Sequence, residues 1–138
     1  MSLRFDKVMD EQEAFQLNAL TLAYLGDSVW EMIVRYGLVF QKYNVHHLHE
    51  ESVKRVNARA QADTLARISE FLTEREAEIV RRGRNAHPKH TIPKNQQPDH
   101  YAASTGLEAL FGYLYLTGQD DRITSIIQMI NKQENEHG

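Results

Sequence analysis

The 138-residue chain contains no cysteine. Disulfides, thiolate catalysis and sulfur-bound zinc are therefore excluded, and a reducing, intracellular setting fits. Proline is scarce and confined to Pro88, Pro93 and Pro98. Nothing elsewhere forbids long helices. Positive charge is not in excess, since the formal net charge is −3. No apolar run approaches the roughly 20 residues of a membrane span. Residues 1–15 lack the apolar stretch of a signal peptide. The expectation is a cytoplasmic protein with no membrane partner. An HExxH pair, a P-loop, a GxGxxG turn and a Ser-His-Asp arrangement are all missing as well.

What is present is helical periodicity. Residues 12–40 place Phe15, Leu17, Leu20, Leu22, Leu25, Val29, Ile33 and Val34 at helical spacing, apolar almost all round. That pattern predicts a buried helix, which Gly26 could break into two. Residues 45–70 read as one or two amphipathic helices with Val53, Val56, Ala60, Leu65 and Ile68 as the stripe. Thr73 and Glu76 form a capping box that opens a helix over 73–84. The prolines enforce a loop at about 86–98, and two more helices follow over 99–118 and 120–134. Strand alternation is absent. The fold class is all-α, and residues 1–138 suit one domain.

Two acids stand in apolar surroundings. Asp27 lies within "LAYLGDSVWEM", and Glu108 lies within "STGLEALFGYLYL". An unpaired carboxylate in such a place costs several kcal/mol. One explanation is local: Ser28 with Glu31, and Thr105 with Glu108, have the letters of capping boxes. The other is shared: if the two helices pack together, both carboxylates could hold one Mg²⁺, a hard cation that needs few protein oxygens. Gly106 and Gly112 each cost about 1 kcal/mol inside a helix. They make sense where another backbone or a ligand comes close.

The positive charge is local. Residues 81–98 carry Arg81, Arg82, Arg84, Lys89 and Lys94 with no acid among them. This is either solvated charge on a connector or a rail for a phosphate backbone. His46 and His49, beside Glu50, have no further metal-type support and read as solvated residues at a helix start.

"LAYLGDSVWE" and "STGLEALFGYLYL", together with "RRGRNA" and "PKN", resemble the ribonuclease III family, and within it the Mini-III group that lacks a double-stranded-RNA-binding domain. The likeness runs through nearly the whole chain. It implies a ribonuclease III endonuclease-domain helical bundle, assembled as a homodimer. It implies cleavage of double-stranded RNA with Mg²⁺ (or Mn²⁺ in its place), leaving 5′-phosphate and 3′-hydroxyl ends. The ends of 23S ribosomal RNA precursors are the implied target, with a ribosomal protein as a possible helper. By motif match, Asp27 takes the place of the catalytic aspartate and Glu108 that of the second-motif metal-binding glutamate. The chain departs from classical members at Ala23 and Thr105, where those enzymes carry acids. Glu31 or Thr105 would assist through water. Arg81, Arg82, Arg84, Lys89 and Lys94 would contact RNA phosphates. The alternative is a catalytically idle helical dimer that binds structured RNA or a ribosomal partner.

Overall fold

The computed structural model describes residues 7–86 and 97–137, and every described element is helical. In order these are α1 (Glu11–Phe15), α2 (Ala19–Val39), α3 (Val45–Val56), α4 (Ala58–Ile68), a 3₁₀ turn (Ser69–Phe71), α5 (Glu74–Asn85), α6 (Pro98–Leu116) and α7 (Asp120–His137). The basic loop's Lys89 and Lys94 lie outside the described residues, as do His87 and His90.

Helix α6 is the axis of the bundle. It packs against α2, α5 and α4, and less extensively against α7 and α1. Its sequence is apolar around the full turn because it is covered on nearly all sides. Leu107, Leu110, Phe111 and Leu114 are fully buried there. Phe111 meets Trp30 of α2 at 5.2 Å between ring centroids.

Helix α2 does not break at Gly26; it runs unbroken from Ala19 to Val39. The break in this region comes earlier, at Asn18, whose side chain accepts from the Leu20 amide. Gly26 instead lets two backbones touch. A β-carbon there would lie 1.6 Å from the Glu108 carbonyl oxygen. Gly112 repeats the arrangement from α6, where a β-carbon would lie 1.9 Å from the Leu22 carbonyl oxygen. The expected close approach at Gly112 is thus real. Gly106 likewise meets Gly83 of α5, at 2.8 Å from that residue's would-be β-carbon to the Gly106 Cα.

The 45–70 segment divides at Asn57, which serves both halves. Its amide donates to the carbonyls of Val53 and Lys54, at 3.0 Å each, and its Oδ1 accepts from the Ala60 amide at 2.9 Å. Val53 of the expected stripe is exposed, whereas Leu65 and Ile68 are buried. The Thr73–Glu76 capping box is present as the sequence predicts.

Glu76 is also the buried half of an ion pair. Arg122 of α7 donates to both its oxygens at 2.8 Å, and to the Phe71 carbonyl at 2.9 Å. Burial pushes the Glu76 carboxyl up, but the hydrogen bonds from Arg122 and Thr73 win and hold it below the usual range. Removing the arginine leaves a desolvated carboxylate. Arg122→Ala is expected to cost about 3 kcal/mol or more in urea denaturation at pH 7. The penalty shrinks as the pH falls and Glu76 takes up a proton.

Candidate active site

Of residues 103–114 only Glu108 is not buried. It faces α2, at the point where Gly26 brings the two helices into contact. There a cleft of about 340 Å³ is lined by Leu20, Ala23, Tyr24, Leu25, Asp27 and Ser28 from α2 and by Tyr101, Thr105 and Glu108 from α6. Asp27 stands on the exposed side of α2, which is how an acid survives in that apolar run. The cost of desolvation falls on Glu108. Burial first, and then the charge of Asp27, push the Glu108 carboxyl up to about 8; a hydrogen bond with Asp27 adds to the rise, and the Gln61 amide opposes it.

Neither capping-box explanation survives. Ser28 and Thr105 both sit inside continuous helices. Thr105 Oγ1 donates backward to the Tyr101 carbonyl at 3.0 Å. The structure brings Asp27, Glu108 and Thr105 to one cleft. Glu31 does not line it and pairs instead with Arg35 at 2.6 Å. Among the described residues, no group of three or more His, Cys, Asp or Glu side chains gathers anywhere. The candidate centre is therefore a pair of carboxylates.

A larger cavity, about 600 Å³, opens between α2, α4 and α7 beside Trp30. Its charge is balanced internally, with Arg67 3.6 Å from Glu134. Among the described residues, the smaller cleft is the one where like charges meet with no cation lining it to neutralise them.

One residue of the site is missing from the sequence reading. Gln61 of α4 is 2% exposed and donates to Glu108 Oε2 at 3.3 Å. The signal was available: Gln61 precedes Leu65 by four and Ile68 by seven, so it lies on the buried stripe.

The three arginines of the basic run, in the last turns of α5, diverge. Arg81 is bound by Glu78. Arg82 donates to the Phe15 carbonyl at 2.7 Å and lies 4.3 Å over the Phe15 ring, so its charge is used inside the fold. Arg84 is exposed, has no ion-pair partner among the described residues, and is close enough to Gly106 for its Cγ to lie 3.1 Å from a β-carbon built there. Of the three, it alone combines an unpaired charge with a stem against the helix that carries Glu108.

The chain matches the ribonuclease III domain over residues 20–119, a span that contains both carboxylates. The chain belongs to the ribonuclease III family. Its relatives fix the branch. A Mini-ribonuclease 3 from Symbiobacterium thermophilum is 50% identical over 113 residues, 81% of this chain and 86% of that one. A Mini-ribonuclease 3 from a Thermoanaerobacter species is 41% identical over 124 residues, 89% and 87% of the two chains. A crystal structure of a protein from Fusobacterium nucleatum superposes with a TM-score of 0.78 at 31% identity, covering 86% of this chain and 95% of that one. The all-α expectation and the family resemblance are both borne out, and the family's activity is that of an endoribonuclease. No helix among the described residues is long and apolar enough to cross a membrane.

Proposed function

We propose that this endoribonuclease cuts double-stranded RNA with the help of Mg²⁺ held by Asp27 and Glu108. The observation that carries the reading is the one gap in the burial of residues 103–114, turned toward a second carboxylate. The donor set fits the ion. Two carboxylates, with no cation among the described residues lining the cleft, are what Mg²⁺ takes from a protein when substrate phosphate and water complete its shell. When bound, it would lower the pKa of the attacking water and offset charge on the phosphate, giving 5′-phosphate and 3′-hydroxyl ends. The chain's own part is to hold the two acids together through the Gly26–Gly112 contact, and to keep the cleft open between Tyr24 and Tyr101.

The duplex is an A-form helix, recognised by shape and backbone. Arg84 is the described residue best suited to a phosphate beside Glu108, with Lys89 and Lys94 extending the track in sequence. A homodimer is supported by exposed apolar side chains on the second half of α2: Met32, Tyr36 and Val39 are 44%, 69% and 62% exposed. A two-fold pair meeting there would present two clefts, one for each strand. The same reading has the enzyme act in the cytoplasm on 23S ribosomal RNA precursors, with a ribosomal protein on the RNA as helper. It rests on the sequence resemblance.

The test is a duplex RNA labelled at both 5′ ends, incubated with Mg²⁺ or with EDTA, beside either strand alone. Cutting of the duplex in Mg²⁺ only, with 5′-phosphate products, is expected. Cutting in EDTA, or equal cutting of single strands, overturns the reading. Binding without cutting would favour the idle dimer.

Arg84 and Arg82 give a sharper contrast. Arg84→Ala is expected to lower the log–log salt slope of duplex binding by about 0.9, the share of one phosphate contact. Arg82→Ala is expected to lower the melting temperature and leave that slope unchanged. Binding measured in EDTA at several salt concentrations, beside thermal melts, checks both.

A further inference from the structure

Gln61 is an anomaly in its own helix. Of its neighbours on the buried stripe, Leu65 and Ile68 are aliphatic, and the polar one, Thr64, spends its hydroxyl on the Ala60 carbonyl of its own helix; Gln61 alone reaches across to α6. A buried amide is costly unless both its ends are hydrogen-bonded. Both are. Nε2 donates to Glu108 Oε2 at 3.3 Å, and Oε1 accepts from Ser104 Oγ, itself 7% exposed and one turn before Glu108 on α6. With Glu108 ionised, as a bound cation would keep it, a flipped amide would set its oxygen against the carboxylate, so the orientation with Nε2 toward Glu108 is the one that serves the site. The donor is also neutral. A lysine or arginine in that position would hold Glu108 but cancel the charge that a cation needs; an amide restrains the carboxylate and leaves its charge in place.

We propose that Gln61 is the positioning residue of the site: clamped by Ser104, its amide holds one oxygen of Glu108 and leaves the other available, with Asp27, for the divalent ion. The inference rests on the two-carboxylate reading above. Gln61 touches neither RNA nor metal in this scheme. It acts by fixing the rotamer of a ligand, as partners of metal ligands do.

The test uses the full chain and Mn²⁺ as the probe, titrated calorimetrically without RNA. Gln61→Met keeps the length of the side chain and removes the donor. Its Mn²⁺ affinity is expected to fall about 10- to 100-fold. With duplex RNA, cleavage at limiting Mn²⁺ is expected to fall and to recover as Mn²⁺ is raised, a rescue that a mere loss of folded protein would not show. Ser104→Ala, which frees the amide without touching Glu108, is expected to move both quantities the same way by less. A folded Gln61→Met protein with Mn²⁺ affinity and cleavage at limiting Mn²⁺ like the wild type's overturns the proposal. Should that variant fail to fold, an unchanged Mn²⁺ affinity in Ser104→Ala overturns it instead. Wild-type protein that binds no Mn²⁺ overturns the two-carboxylate reading itself, and this inference with it.

Discussion

Glu108→Gln is expected to abolish cleavage and, in the same molecule, to raise the stability of the metal-free protein. The loss follows from removing one of two carboxylates proposed to hold the ion. If the ion contributes several kcal/mol at the transition state, cleavage falls by at least about 10³-fold, or about 4 kcal/mol. The gain in stability follows from the same geometry. Glutamine keeps an oxygen to accept from Gln61 and gains an amide to donate to Asp27. As the pH nears 8 and Glu108 loses the proton it shares with Asp27, the wild type is left with two charged acids in contact where the variant keeps a hydrogen bond. The effect depends on pH, with a definite sign. Glu108 holds its proton up to about pH 8 in the fold but loses it at ordinary carboxylate pH when unfolded. The native state therefore binds more protons in between. The wild type's stability from this group is intact at low pH and drains away as the pH rises toward 8. Glutamine has no proton to lose. The variant should match the wild type near pH 5 and melt several degrees higher at pH 8, at about 4 °C per kcal/mol for a chain of this size. Mg²⁺ should raise the wild-type melting temperature more at pH 8 than at pH 6, since the ion displaces that proton. It should leave the variant's almost unchanged. Thermal melts at three pH values, with and without Mg²⁺, read all of this. A variant destabilised at pH 8, or stabilised by Mg²⁺ as strongly as the wild type, would overturn the assignment.

The acids themselves were legible in the sequence because an ionised group in an apolar helix demands an explanation. Which explanation applied was not. Ser28 with Glu31 and Thr105 with Glu108 carry the same letters as the genuine box at Thr73 and Glu76. The difference is tertiary. Thr73 follows an extended Leu72 and opens α5, whereas the other two lie in helices kept continuous by burial on several sides. Gly26 misled for the same reason: local propensity reads glycine as a break, and only the neighbouring helix shows it to be a contact. Arg82 and Arg84 are equivalent as letters in a basic run. Two residues of helix turn them about 200° apart, one onto Phe15 and the other beside Gly106. Gln61 was hidden because a polar residue on a buried stripe looks like an interruption until its partners, 43 and 47 residues away, are seen.

Gly26→Ala should be the most damaging single-methyl change in the chain, against what helix propensity alone predicts. Alanine is favoured over glycine inside a helix by about 1 kcal/mol. At Gly37, on the same helix, a β-carbon meets nothing within 4 Å. Gly37→Ala is therefore expected to stabilise by up to about 1 kcal/mol. At Gly26 the added carbon would sit 1.6 Å from the Glu108 carbonyl oxygen and 2.8 Å from the Gly112 amide nitrogen. Both obstacles are backbone, so no rotamer change relieves them. The helices must move apart, and that separation strips contacts from Leu22, Val29 and Phe111 around the notch. The cost is expected to be about 3 kcal/mol or more, at or beyond the upper end of ordinary overpacking and a large part of a typical domain's total stability. Urea denaturation of the two variants side by side measures the contrast; equal stability would show that α2 and α6 are not pressed together at this point. The carbonyl that would be struck belongs to Glu108 itself. Any Gly26→Ala protein that does fold should therefore show weakened Mn²⁺ binding as well, because the contact that packs the two helices also sets the distance between the two carboxylates.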